Sequence, residues 1–280
     1  MTWQHLFFPA ALAFAAAIAP GAAAQPEPEK VKVEVYADVQ AIAPGATFHL
    51  AVQYDIEPDW HIYWVNSGDT GYATSLEIEA PDGFVIGPVQ YPGPHRFGQP
   101  GDLVSFGHEG RATFIVEVKA PDTLISDAKL RFETHSDWLV CKEACVMGSA
   151  DRAIVLRTVP IIEDVKPANT ARFAAAAARM PRELKALKTG RPHWRGSKSS
   201  PRFVATFPKD VEFDIFPLLA ADVKYHDPEI IQLDDGSSRL SVTFDVNESR
   251  VWPAGPRSLA VLRVKNGDEE LYYDLVPVFE

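Results

Sequence analysis

His135-Ser136-Asp137-Trp138-Leu139-Val140-Cys141-Lys142-Glu143-Ala144-Cys145-Val146 holds both cysteines of the 280-residue chain, and its reading decides the fold. Four residues of extended strand put two Cα atoms roughly 13 Å apart, beyond disulfide reach, so the chain must turn between Cys141 and Cys145. Leu130-Arg131-Phe132-Glu133-Thr134-His135 alternates apolar and polar residues, which favours a strand over a helix leading into the turn. Lys142-Glu143-Ala144 is then a three-residue hairpin loop, with the cysteines opposed across it at bonding distance.

Outward from the hairpin the same texture recurs. Val31 to Tyr36, Thr47 to Tyr54, Trp60 to Trp64, Ser75 to Glu79, Thr113 to Lys119 and Ala153 to Val159 read as strands. Turn signals such as Ala43-Pro44-Gly45, Pro81-Asp82-Gly83 and the Pro/Gly-rich loop from Tyr91 to Gly101 separate them. Short strands at this spacing predict an antiparallel β-sandwich. From Pro167 the sequence becomes helical, with Asn169 as the expected N-cap, an alanine run from Ala174 to Ala178, and continuation to Leu187. The helix is expected to pack over the sandwich or between domains. Beyond a basic, turn-rich stretch from Gly190 to Pro201, strands return at 202–207, 230–233, 240–246, 259–264 and 271–278. Asp235-Gly236 and Asn266-Gly267 supply hairpin turns. The expected plan is all-β: a signal peptide at 1–24, a β-sandwich at 25–165, a helical and basic linker at 166–201, and a second small β-sandwich at 202–280.

The signal peptide rests on Met1 to Ala24, which lacks Asp, Glu, Lys and Arg and carries an apolar run from Leu6 to Ile18 before Ala22-Ala23-Ala24. That run is too short to favour a membrane anchor. An exported, oxidising compartment permits a disulfide. With 38 acidic against 27 basic residues the net charge is −11, which argues against nucleic acid as a partner. A chain of this length with 46% apolar residues folds without staples. In the chain-entropy model a loop of about five residues contributes only about 2 kcal/mol when closed, against roughly 5 kcal/mol for 100 residues. The pair is a poor staple, which points toward reversible chemistry.

His61-Ile62-Tyr63-Trp64-Val65-Asn66-Ser67-Gly68-Asp69-Thr70-Gly71, the loop from Tyr91 to Phe97, and Trp138-Leu139-Val140-Cys141-Lys142-Glu143-Ala144-Cys145 together resemble the N-terminal periplasmic domain of DsbD and ScsB. The resemblance covers roughly Val31 to Val159 and is closer to ScsB in its cysteine spacing. It implies an immunoglobulin-like domain that passes electrons from a membrane thiol:disulfide transporter to periplasmic thioredoxin-like proteins, as a protein-disulfide reductase-like oxidoreductase. Tandem sandwiches in ScsB-type ectodomains agree with the second half. By resemblance Cys141 and Cys145 are the redox pair, with Cys145 favoured as the sulfur of the mixed disulfide. Family members continue into a multi-helix membrane domain, whereas this chain ends at Glu280; docking to a separate transporter is expected. The family's aromatic cap over the disulfide is matched here to Tyr91 and Phe97.

Other aromatics near the pair are Trp138, Trp60, Tyr63 and Trp64, with core packing the competing role for each. Lys142 is the one adjacent cation. The Asn66 to Gly71 loop has side chains suited to calcium or phosphate but lacks the full EF-hand pattern, so it is expected to be a structural turn. His135, Cys141, Cys145 and Met147 form an alternative soft-ligand set for Cu(I), in keeping with the family's link to copper tolerance. Zinc spacing is missing. A third reading is a non-redox interaction module with a clipped hairpin. No hydrolase triad, phosphate loop or zinc-protease helix occurs, no cofactor is expected, and His49, His95, His108, His193 and His226 are scattered.

Overall fold

The computed structural model describes residues 29–218, 220–247 and 257–279; the expected signal peptide lies outside the described residues. The first half contains β1 (Val31–Ala37), β2 (Ala41–Ile42), β3 (Thr47–Ile56), β4 (His61–Gly68), β5 (Ser75–Glu79), β6 (Val85–Gln90), β7 (His95–Gln99), β8 (Leu103–Glu109), β9 (Arg111–Lys119), β10 (Lys129–Cys141) and β11 (Cys145–Thr158). One sheet has the order β1-β3-β9-β6, the other β2-β11-β10-β4-β8-β7, with β5 also on β10.

Side-chain alternation explains how the two sheets close on each other. On β10, Phe132, Thr134, Ser136, Trp138 and Val140 are buried, whereas Glu133 and His135 are exposed. These inward side chains meet Phe48, Tyr54 and Phe114 of the facing sheet. Each such aromatic contributes about 1.5–3 kcal/mol by burial. The polar atoms drawn in with them are paired: the Tyr54 and Ser136 hydroxyls lie 2.6 Å apart.

Helix α1 (Thr170–Ala177) covers the outer face of the first sheet. Its Ala176 is buried with Tyr36, Ala51 and Ile115, and Phe173 packs edge-on against Tyr36 at 5.3 Å. The helix is shorter than the predicted run to Leu187, because Pro181 cannot continue it and the chain then extends. Asn169 occupies the N-cap position with φ 51° but makes no side-chain cap; its Nδ2 instead donates to the Ala37 carbonyl at 2.8 Å.

The second half contains β12 (Arg182–Glu183), β13 (His193–Gly196), β14 (Pro201–Phe207), β15 (Val211–Pro217), β16 (Val223–Tyr225), β17 (Glu229–Gln232), β18 (Ser238–Val246), β19 (Ala260–Asn266) and β20 (Glu269–Asp274). They form the sheets β12-β20-β19-β15 and β13-β14-β18-β16, with β17 also on β18. Strands β12 and β13 fall within the stretch expected as linker, and β15 and β16 are additional to the predicted set. Gly236 and Gly267 take positive φ in the turns before β18 and β20.

The halves meet through an apolar cluster in which Trp64 of β4 and Phe106 of β8 pack on Phe216, Val261 and Tyr272. Around it, Arg96 of β7 makes a forked ion pair with Asp214 of β15, its Nη2 2.9 Å from Oδ1 and its Nε 3.1 Å from Oδ2. Asn66 Nδ2 donates to the Pro217 carbonyl at 2.8 Å, and His95 Nε2 lies 3.3 Å from Glu270. The structure is all-β and immunoglobulin-like, with one short α-helix among the described residues.

Candidate functional site

Strands β10 and β11 run antiparallel to their ends, so Cys141 opposes Cys145 across the loop Lys142 to Ala144, as the spacing predicts. The two are joined in a disulfide with Cα atoms 4.2 Å apart. Parity on β10 puts Val140 toward the core and Cys141 on the opposite face. There the neighbouring strand β4 presents its own outward residues, with Val140 in register with Ile62 and Cys141 with His61.

The two sulfurs are not equivalent. Cys141 is 2% exposed, whereas Cys145 is open to solvent. Tyr63 also meets them unequally: its hydroxyl donates to Cys141 Sγ at 3.2 Å and lies 3.9 Å from Cys145 Sγ. Burial raises the Tyr63 pKa above its ordinary value, an effect partly offset by the Thr70 side chain, so the hydroxyl keeps its proton at neutral pH. The Tyr63 ring is held from behind by Gly71, where a Cβ would lie 2.1 Å from a ring carbon and φ is +92°. Only glycine fits that approach. The Asn66 to Gly71 loop is thus the support of Tyr63. Asn66 Oδ1 accepts from the Gly68 amide at 3.0 Å, and Asp69 Oδ2 accepts from the Val104 amide at 2.9 Å.

Beside Tyr63, the His61 ring packs edge-on at 5.3 Å, and Phe97 of β7 stacks on His61 at 4.4 Å and 11°. Burial lowers the His61 pKa, with Glu109 opposing, so the imidazole is neutral at pH 7. Lys142, the adjacent cation, pairs with Asp59 at 3.0 Å.

Of the sequence candidates, Tyr63 meets the sulfurs, and Phe97 reaches the site through His61. Tyr91 does not; it packs on Phe114 at 4.7 Å as part of the core. Trp138 lies three residues before Cys141, on the opposite parity, and points inward, edge-on to Tyr54 at 6.0 Å, filling the space left by Gly148 opposite it. Trp60 packs against the same core beneath the Lys30 ammonium, 5.0 Å away. Trp64 lies in the cluster between the halves.

The copper set is not assembled. His135 is engaged by Asp151 at 2.6 Å and Asp137 at 3.1 Å, and it lies six residues, or about 20 Å of strand, from Cys141. Met147 is exposed two residues beyond Cys145. Among the described residues no group of three or more His, Cys, Asp or Glu is placed to hold a metal ion. His61 and Gly71 were not singled out from sequence. The available signal was position: His61 shares the outward parity of Tyr63.

The model of the family described as thiol:disulfide interchange protein DsbD, N-terminal, matches residues 16–156, just over half of the chain. The chain belongs to the DsbD N-terminal family. In this DsbD-family chain the matched region spans both cysteines, all of β10, β11 up to Leu156 and the strand carrying Tyr63. No curated protein matches by sequence. Among solved structures, the N-terminal periplasmic domain of ScsB from Proteus mirabilis superposes with a TM-score of 0.56 at 17% identity. That match covers 93% of this chain and 98% of the other, so the likeness of fold extends through both halves. The reduced DsbD N-terminal domain of Neisseria meningitidis covers 47% of this chain and 87% of its own, at 8% identity and a TM-score of 0.27. Among the described residues no helix is long and apolar enough to cross a membrane.

Proposed function

We propose that the protein is a periplasmic thiol-disulfide exchange protein, accepting electrons from a membrane thiol:disulfide transporter and delivering them to thioredoxin-like partners through Cys141 and Cys145. Family membership supports the chemistry, and the unequal exposure of the two cysteines carries the assignment of roles. A partner thiolate attacks the exposed Cys145 sulfur; the electron pair of the S–S bond leaves on Cys141, whose thiolate is met by the Tyr63 hydroxyl. The partner's second thiolate then attacks the partner sulfur of the mixed disulfide and releases the Cys145 thiolate. Two electrons pass to the pair, the partner becomes a disulfide, and the partner's two protons balance the two thiols formed. The same steps in reverse hand the electrons on.

The neutral Tyr63 donor stabilises the departing charge, as a hydrogen bond to an ionised group does more strongly than one to a neutral group. Both cysteines lie on strands and, among the described residues, no helix begins at either, so the Tyr63 donor is the activating group at the site. The test is the reduction potential of the pair, by equilibration in glutathione or dithiothreitol buffers and thiol counting. A value of about −180 to −270 mV is expected for an exchange protein. A value below about −300 mV, where structural disulfides lie, overturns the proposal in favour of a clipped hairpin.

A further inference from the structure

Strand β4 leaves its ladder with β8 immediately after Tyr63: Tyr63 pairs with Gly107, the register then shifts, and pairing resumes at Gly68 with Ser105. A bulge of this kind re-aims a side chain and forfeits the hydrogen bonds that would hold it. The released segment is held by the second half of the molecule instead. Trp64 is buried edge-on to Phe216 at 6.3 Å, and Asn66 donates to the Pro217 carbonyl. The other strand that covers the site, β7, is the edge strand laddered to β8, and it is gripped in addition by the same strand of the second half. Its Phe97 stacks on His61, while the preceding Arg96 grips Asp214 through its fork and reaches the Ile215 carbonyl at 3.4 Å. Asp214 to Pro217 of β15 therefore hold both segments that flank Tyr63.

We infer that the second half tunes the redox site, with Arg96 and Asn66 as positioning residues that keep Tyr63 on Cys141 by anchoring β7 and the β4 bulge to β15. The inference rests on the exchange role proposed above and gives the second half a place in it. The forked pair is well suited to this work, because two parallel N–H···O bonds set an orientation that a single lysine charge does not. Part of it is also shielded: the Arg96 guanidinium lies 5.1 Å from the Phe106 ring and 5.9 Å from the Phe216 ring.

The experiment measures the rate at which dithiothreitol reduces the pair in the full chain, for wild type, Arg96→Ala, Asn66→Ala, and each combined with Tyr63→Phe. Partial loss of the donor to the leaving thiolate is expected to slow Arg96→Ala and Asn66→Ala about two- to fivefold. In the Tyr63→Phe background the same substitutions are expected to have no further effect, since their action runs through that hydroxyl. Asp214→Asn, which keeps the shape and loses the charge, is expected to follow Arg96→Ala and serves if the alanine variant fails to fold. Wild-type rates in folded Arg96→Ala or Asp214→Asn overturn the inference, as does an equal slowing in the Tyr63→Phe background, which marks a general loosening. Reduction by a small thiol needs no protein partner, so this result is readable even if the proposed electron-carrying role fails on the measured potential.

Discussion

Replacing Tyr63 by phenylalanine removes one oxygen and keeps the ring that packs on Gly71 and His61, so the substitution isolates the donor to Cys141. A hydrogen bond to a charged group contributes about 1.5–3 kcal/mol, and the diffuse charge of sulfur takes the lower end. Loss of about 1.5 kcal/mol corresponds to roughly one pKa unit and roughly tenfold in rate. The sign follows from the donor's preference for the thiolate: it depresses the Cys141 thiol pKa in the reduced protein, and its removal lets that pKa rise. Well below both pKa values the variant then holds about tenfold less thiolate. Two assays report this. Alkylation by iodoacetamide across pH, in a Cys145→Ser background, gives the Cys141 thiol pKa with and without the hydroxyl. Stopped-flow reduction of the intact pair by dithiothreitol gives the rate, expected to fall by up to about tenfold in Tyr63→Phe. A variant whose thiol pKa and reduction rate both match wild type refutes the role assigned to Tyr63.

Further expectations follow from the same geometry. With Cys141→Ser, the remaining exposed Cys145 thiolate should attack the disulfide of an oxidised thioredoxin-like partner and hold it as a mixed disulfide on gels, whereas Cys145→Ser should trap little through the buried Cys141; the opposite pattern reverses the roles of the two cysteines. Gly71→Ala sets a Cβ against the Tyr63 ring at a φ of +92° and should cost more than about 1 kcal/mol in urea unfolding. Its reduction rate should fall in the direction of Tyr63→Phe. His108 is buried against Phe114, and desolvation, with the charges of His95 and Arg179 adding to it, lowers its pKa to about 3. The unfolded chain takes up that proton near pH 6.5, so the stability contributed by neutral His108 is complete above about 6.5 and is lost as pH falls toward 3. Urea midpoints between pH 7 and pH 4 should therefore fall less steeply in His108→Gln than in wild type, and parallel slopes would count against this assignment.

The local pattern carried most of the fold. Alternation along Leu130 to His135 announced a strand, and four-residue cysteine spacing with a three-residue loop announced the hairpin. The alanine run announced a helix, yet its extent was overread because Pro181 ends it and the following residues pair in a sheet. Asn169 looked like a cap and instead ties the helix to β1 through the Ala37 carbonyl, a partner 132 residues away.

The chain's own chemistry determined which face each residue takes and that two cysteines oppose each other, because a side-chain period of two and the reach of a disulfide are properties of a few consecutive residues. Which aromatic lies on the sulfur was not so determined. Tyr63 and Cys141 are 78 residues apart, and their meeting depends on the register of β4 against β10, on the bulge after Tyr63 and on the glycine behind its ring. Tyr91 and Trp138 had equal claims by composition and lost them to core packing on Phe114 and Tyr54. The inequality of the two sulfurs, and the grip of β15 on both segments beside the site, likewise come from contacts between distant strands. Burial and register are collective properties of paired sheets, so they exist only once the tertiary structure has formed.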